Sequence, residues 1–131
     1  MTILVLEDEP AFLTLMRGML SGHTVLATAN WDEAISAFRS AASEIDLLIA
    51  DVTIPVVSGV QVARLLRGEN HQLPVILTSG YPAGNWSALD TRDLGKLGTG
   101  ATAILQKPFA REQLLETVQR LTGQSPAAAV V

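Results

Sequence analysis

Leu47-Leu48-Ile49-Ala50-Asp51-Val52-Thr53-Ile54-Pro55 is the stretch that decides the fold of this 131-residue chain. Leu47 to Ala50 are apolar without interruption, as strands of a parallel sheet covered on both faces are. Shorter or similar runs rich in branched residues recur at Ile3–Leu6, Thr24–Ala29, Val75–Thr78 and Ala101–Leu105, and each precedes a longer segment of different period. Strand then helix, five times over, predicts an α/β protein: a doubly wound, five-stranded parallel sheet whose right-handed crossovers lay helices on both faces.

The helical segments carry their own punctuation. Behind Glu9-Pro10, an acid and a proline where a helix begins, Phe12, Leu15, Met16 and Met19 fall at i, i+3, i+4 and i+7. Ala34, Ala37, Phe38 and Ala41 repeat that spacing after the cap Asn30, with Trp31 expected to pack under this second helix. Gly59, Val62, Ala63 and Leu66 follow Ser58 in the same way, and Leu114, Leu115, Val118 and Leu121 follow Pro108. Ser79 to Gly100 is different. Gly80, Pro82, Gly84, Gly95, Gly98 and Gly100 interrupt any regular helix, so a mobile loop is expected there, with a brief helix between Trp86 and Leu94. The domain is expected to occupy residues 1–122, leaving 123–131, with Ser125-Pro126 and three alanines, as a flexible C-terminal tail.

Composition narrows the function. With 48% hydrophobic and 17% charged residues and a mean hydropathy of +0.31, the chain has ample apolar surface to fold, and its length suits one core. The absence of cysteine excludes disulfides and thiolate metal sites. Nine basic against thirteen acidic side chains give a net charge of −4, which leaves no basic field for phosphate backbones; direct nucleic-acid binding is not expected. No apolar run approaches the ~18 residues of a membrane span and no signal peptide precedes Ile3, so membrane insertion is not expected and the cytoplasm is the default compartment.

In open parallel sheets the ligand site lies beyond the carboxyl ends of the strands. Here those ends read Glu7-Asp8-Glu9, Asp51, Thr78-Ser79 and Lys107-Pro108 for strands one, three, four and five. With strands one and three adjacent, Glu7, Asp8 and Asp51 would share one small volume and repel. Either some take up protons or a hard divalent cation neutralises them, and an oxygen-only site suits Mg²⁺. Lys107, one of only two lysines, and the Thr78 hydroxyl would form the opposite rim. A cation, a lysine and a hydroxyl around one carboxylate would stabilise a phosphoryl group transferred to it. Taken singly, each residue has a plainer reading: a solvated helix start, a turn aspartate, a strand hydroxyl, a surface charge. Their coincidence at four strand ends is what favours the site. His23, in a turn, and His71, in a polar loop, are not expected to be catalytic.

The segments Ile3–Pro10, Leu47–Pro55, Ser58-Gly59, Pro74–Tyr81 and Leu105–Phe109, in this order and spacing, resemble the receiver domains of two-component response regulators, the CheY-like family. The resemblance covers Met1 to about Thr122. It implies a flavodoxin-like (βα)5 fold with strand order 2-1-3-4-5, an order known from the family itself. It also implies that Asp51 is the phosphoacceptor, and that Mg²⁺ is bound by Asp8, by Glu7 directly or through water, by Asp51 and by the backbone carbonyl of Thr53. Lys107 would pair with Asp51 and then with the phosphoryl oxygens, the Thr78 hydroxyl would report the phosphoryl group to the loop after strand four, and the Lys107–Pro108 peptide would be cis. The implied partners are a sensor histidine kinase or histidine phosphotransfer protein, and a downstream protein target at the face formed by helix four, strand five and helix five. Such a chain is a signalling switch and not an enzyme beyond its own phosphorylation and dephosphorylation.

Two alternatives stay open. A Mg²⁺-dependent aspartyl-phosphate hydrolase of the haloacid-dehalogenase type would carry Asp-x-Asp after strand one and a cap domain, where this chain has Glu7-Asp8-Glu9 and too little length. A degenerate receiver, acting as a phosphorylation-independent interaction module, would not need the intact quintet. Two departures from the family pattern also matter: Ile104 stands where an aromatic is usual, and the Thr78 to Lys107 interval is long. Ile104 cannot supply an aromatic swing, so Tyr81 is expected to move instead as phosphorylation orders Ser79 to Gly100. Thr53 and Gly80, each two residues beyond a site residue, offer no acid or amide to orient water, so slow self-hydrolysis is expected.

Overall fold

Alternation of inward-facing apolar side chains on two faces of one sheet organises the molecule, seen here in a computed structural model that describes residues 1–97 and 101–123. The elements run β1 (Thr2–Leu6), α1 (Pro10–Met19), β2 (Thr24–Thr28), α2 (Trp31–Ala41), β3 (Ile45–Asp51), α3 (Gly59–Glu69), β4 (Val75–Ser79), a 3₁₀ turn (Ala83–Asn85), α4 (Ala88–Gly95), β5 (Thr102–Gln106) and α5 (Arg111–Thr122). All neighbouring strands pair in parallel, in the order β2-β1-β3-β4-β5. The doubly wound sheet and its 2-1-3-4-5 order are therefore as expected.

Successive strand side chains point to opposite faces, and both faces are apolar. Leu4, Leu6, Leu48, Ala50 and Leu77 pack with Ala34 and Phe38 of α2 and with Val62, Ala63 and Leu66 of α3. Ile3, Val5, Leu47, Ile49 and Ile76 pack on the other side with Met16 of α1 and Leu114 and Val118 of α5. This two-sided burial is why β1, β3 and β4 read as unbroken apolar runs. It also pins the sheet so that Leu6 lies beside Ala50 and Asp51 beside Thr78, which brings the carboxyl ends of β1, β3 and β4 to one edge.

Helix starts are fixed locally. Asn30 Oδ1 accepts from the Glu33 amide at 2.9 Å, while Ser58 and Gln61 form a reciprocal capping box at α3. Gly59 follows at once, and only glycine fits: a Cβ there would lie 2.1 Å from the Asp51 carbonyl oxygen. The loop between Asp51 and Ser58 turns tightly at Val56, which has φ 71° and whose turn is closed by the Val57 amide on the Pro55 carbonyl at 2.9 Å.

The glycine-rich stretch holds more structure than its composition suggests. Residues 83–85 form the 3₁₀ turn, and α4 starts at Ser87, whose hydroxyl accepts from the Asp90 amide at 3.0 Å. Two polar ties dock α4 on α3: the Ser58 hydroxyl donates to Asp90 at 2.6 Å, and Arg64 pairs with the buried Asp93 at 2.9 Å. The brief helix is as expected, but it is a docked helix and not an excursion within a loop. Residues 98–100, the end of that stretch, lie outside the described residues, as do residues 124–131 of the expected tail; Gly123 caps α5 in the left-handed conformation at φ 70°. Trp31 departs from expectation. It occupies the first position of α2 and is 36% exposed, ahead of the buried stripe that Ala34 and Phe38 carry. Among the described residues no helix is long and apolar enough to cross a membrane.

Candidate functional site

The edge where β1, β3, β4 and β5 end carries the expected quintet. Glu7 follows the last residue of β1, Asp51 ends β3, Thr78 lies across from it in β4, and Lys107 follows β5, its backbone amide tied to the Ser79 carbonyl at 2.8 Å. Carboxylate oxygens of Glu7, Asp8 and Asp51 all lie within 4.8 Å of one another, with Glu7 and Asp51 buried and Asp8 exposed. Lys107 Nζ reaches between two of them, 2.6 Å from Glu7 Oε1 and 2.8 Å from Asp51 Oδ2. The Lys107–Pro108 peptide is cis, as expected.

Asp51 is fully engaged. Its Oδ2 accepts from Lys107, and its Oδ1 accepts from both the Thr53 amide at 2.9 Å and the Thr53 hydroxyl at 3.0 Å. Burial pushes the Asp51 carboxyl up, but these hydrogen bonds and the nearby ammonium charge outweigh it, so the group is held below the usual carboxylate range. Glu7 goes the other way: burial raises it, and the Asp51 charge adds to that, against the hydrogen bonds from Lys107 and the Glu9 amide. For Lys107, burial pulls down, yet the two carboxylates more than compensate and hold the ammonium above its ordinary value.

Three carboxylates and one ammonium leave this edge with a formal charge of −2 when all are ionised. One divalent cation balances that. Hard oxygen donors suit Mg²⁺, which takes such ligands at ~2.0–2.1 Å. The donor chemistry and the spacing therefore fit the expected metal.

Sequence reasoning missed two features of the site. The Thr53 hydroxyl was not singled out, yet it hydrogen-bonds the Asp51 side chain directly. Phe12, expected only as part of an apolar helix face, lies with its ring centroid 4.3 Å from Lys107 Nζ and meets Phe109 edge-to-face at 5.5 Å. Phe109 directly after Lys107-Pro108 is the signal that could have suggested an aromatic floor. Neither histidine approaches the carboxylates: His71 is exposed, and His23 Nδ1 lies 3.1 Å from the Met1 nitrogen. Beyond the site, Tyr81 is 61% exposed and Ile104 39% exposed.

A parallel 2-1-3-4-5 sheet with an acid cluster, a strand-four hydroxyl and a cis-proline-linked lysine at its carboxyl edge defines a phospho-receiver type of protein. Residues 3–119 match the response regulator receiver domain family, and the chain belongs to it. It is 30% identical over 126 residues to the transcriptional regulatory protein TcrA of Mycobacterium tuberculosis, covering 95% of this chain and 47% of TcrA. The chemotaxis protein CheY4 of Vibrio cholerae superposes with a TM-score of 0.77 at 26% identity, covering 92% of this chain and 97% of CheY4. The receiver domain of the sensor histidine kinase PA1611 from Pseudomonas aeruginosa, solved with a magnesium ion coordinated in its active-site cleft, gives a TM-score of 0.72 at 29% identity, covering 94% and 98% of the two chains. The chain spans about half the length of TcrA and of the M. tuberculosis response regulator MprA. It is thus a receiver domain of two-component signalling, and the hydrolase alternative falls with that membership.

Proposed function

We propose that this receiver accepts a phosphoryl group on Asp51 from a phosphohistidine donor and passes the signal through a protein-binding surface. The observation that carries this reading is the Asp51 side chain: ionised, pre-aligned by Thr53, paired with Lys107, and within reach of two further acids. In the transfer, an Asp51 carboxylate oxygen forms a bond to phosphorus, the phosphorus–nitrogen bond to the donor imidazole breaks, and the imidazole leaves with the bonding electron pair and takes up a proton. Glu7, Asp8, Asp51 and the backbone carbonyl of Thr53 would hold Mg²⁺, which would supply charge neutralisation for the phosphoryl oxygens when bound. Lys107, already on Asp51, neutralises charge from the opposite side, and the Thr78 hydroxyl on the adjoining strand accepts the role of hydrogen-bond donor to the phosphoryl group. Small displacements at Thr78 would pass along β4 to Tyr81 and to the surface of α4, β5 and α5, where a downstream protein would dock. A sensor histidine kinase or a histidine phosphotransfer protein would supply the phosphohistidine.

Acetyl phosphate with Mg²⁺ tests the reading. Mass spectrometry should place one phosphoryl group on the peptide holding Asp51, with none in Asp51→Asn and none in excess chelator. Equal labelling of Asp51→Asn would refute Asp51 as the acceptor, and wild-type protein that takes no label would favour an interaction module that works without phosphorylation.

A further inference from the structure

Lys107 has three N–H donors and, among the described residues, two carboxylate partners, Glu7 at 2.6 Å and Asp51 at 2.8 Å. Its remaining side is covered by the Phe12 ring, whose centroid lies 4.3 Å from Nζ. That is within the ~6 Å over which a ring quadrupole attracts an ammonium, and the side chain is largely withdrawn from water, which strengthens the attraction. A second ring packs against it. Phe109 meets it at 5.5 Å with planes at 90°, and Phe109 is itself buried among Met16, Leu114 and Val118. The lysine and its aromatic wall are therefore braced by one another: Phe109 is two residues past Lys107, and Phe12 lies in the first turn of α1, five residues past Glu7.

This arrangement meets a difficulty built into the site. A cation drawn to the acid cluster competes with Lys107 for Glu7 and repels the ammonium by ordinary Coulomb repulsion. The lysine then needs a second hold that leaves its donors available. An aromatic face attracts the charge without accepting a directed hydrogen bond, so it keeps Nζ near Asp51 while the donors stay free for carboxylate or phosphoryl oxygens.

We propose that Phe12 is a positioning residue, whose ring, locked edge-to-face by Phe109, holds the Lys107 ammonium within reach of Asp51 when Glu7 turns to other partners. The inference rests on the phosphoacceptor reading above and extends it to an aromatic residue on α1. Phe12→Leu keeps an apolar side chain at the position and removes the ring; Phe12→Tyr keeps the ring. In NMR spectra the Lys107 Hε protons should be shifted upfield by the ring in the wild type and in Phe12→Tyr, and should return toward ordinary lysine values in Phe12→Leu. At saturating acetyl phosphate and Mg²⁺, the Asp51 phosphorylation rate constant should fall about fivefold to thirtyfold in Phe12→Leu, the range between an exposed and a desolvated cation–π contact, and stay within about twofold in Phe12→Tyr. Mg²⁺ affinity by calorimetry should be little changed in both variants. A Phe12→Leu protein with wild-type rate and with Lys107 resonances still at their wild-type upfield positions overturns the assignment, as does a Phe12→Tyr protein as impaired as Phe12→Leu, which would make packing the cause. Wild-type protein that takes no label on Asp51 brings down the phosphoacceptor reading and this inference with it, whereas normal labelling that ignores Phe12→Leu brings down only the ring.

Discussion

Gly59→Ala places one methyl group where the chain has no room for it. The added Cβ would lie 2.1 Å from the Asp51 carbonyl oxygen, 2.7 Å from its carbonyl carbon and 3.2 Å from Ala50 Cβ. The first contact is roughly 0.9 Å shorter than the 3.0 Å that real Cβ contacts respect, and the obstructing atoms are backbone, which cannot swing aside. Either α3 retreats from β3 or the Asp51 peptide moves. A gap of 0.5–1 Å forfeits about a quarter to a half of each dispersion contact, and Val62, Ala63 and Leu66 all face the sheet across that gap. Overpacking costs ~1–3 kcal/mol, and with backbone on the blocking side the upper end applies, about 3 kcal/mol. Gly68→Ala is the matched control: same helix, nothing within 4 Å of the new Cβ, and a gain of about 0.5–1 kcal/mol from helix propensity. Urea unfolding should show the Gly59→Ala midpoint lowered by roughly 1.5 M at unchanged slope, and the Gly68→Ala midpoint slightly raised. A Gly59→Ala protein within about 0.5 kcal/mol of wild type, at equal slope, would refute the close-approach argument.

Other outcomes follow from the same geometry. Glu7 is raised from its ordinary 4.5, so the native state binds its proton more tightly than the unfolded chain, and stability falls as the pH rises through the folded value. Metal-free Glu7→Gln should therefore lose that pH dependence and unfold at higher urea near neutral pH, while calorimetry shows weaker Mg²⁺ binding. Arg67 is buried and donates to the Leu73, Leu97 and Ala101 carbonyls and the Thr102 hydroxyl; Arg67→Met should deprive the Leu73 and Leu97 carbonyls of this donor, cost about 3 kcal/mol and lower the melting temperature by about 10 °C. Gly80 has open space beyond its Cα, so Gly80→Gln fits, and its amide should orient an attacking water and speed decay of the aspartyl phosphate severalfold, read by loss of label over time.

Residues whose environment is set by period were legible, and those set by distant partners were not. Ile3 to Leu6, Leu47 to Ala50 and Val75 to Leu77 announce buried strands because both of their faces are apolar, and the acids and the Thr78 hydroxyl stand directly beyond them, with Lys107 after β5. Edges were read less well. β3 begins at Ile45, where exposed Asp46 breaks the apolar run but accepts from the Thr2 amide at 2.8 Å. Leu15 keeps the spacing of the α1 stripe yet is 51% exposed, because the buried face turns through Met16 and Leu20. Arg67 sits near the end of α3, where a solvated charge is the ordinary expectation; its burial depends on carbonyls 6 to 34 residues away. Phe12 is ambiguous for the same reason, since an apolar residue at helical spacing gives no hint that a lysine from the far end of the domain will settle on its ring.

The bond from Lys107 to Glu7 joins residues 100 positions apart in the chain. During synthesis, the acids that follow β1 and end β3 emerge well before the strand that delivers the ammonium pairing with both. Until β5 docks beside β4, a nascent chain that has already formed the central strands holds Glu7 and Asp51 together with no positive side chain between them, and the cost of that repulsion falls on the incomplete sheet. The last strand therefore does more than widen the sheet: its arrival relieves a charge conflict at the other strands' ends. Truncated or stalled chains lacking β5 should consequently be disproportionately unstable, and a chain able to hold the whole acid, hydroxyl and lysine constellation is one whose folding has run to the far edge.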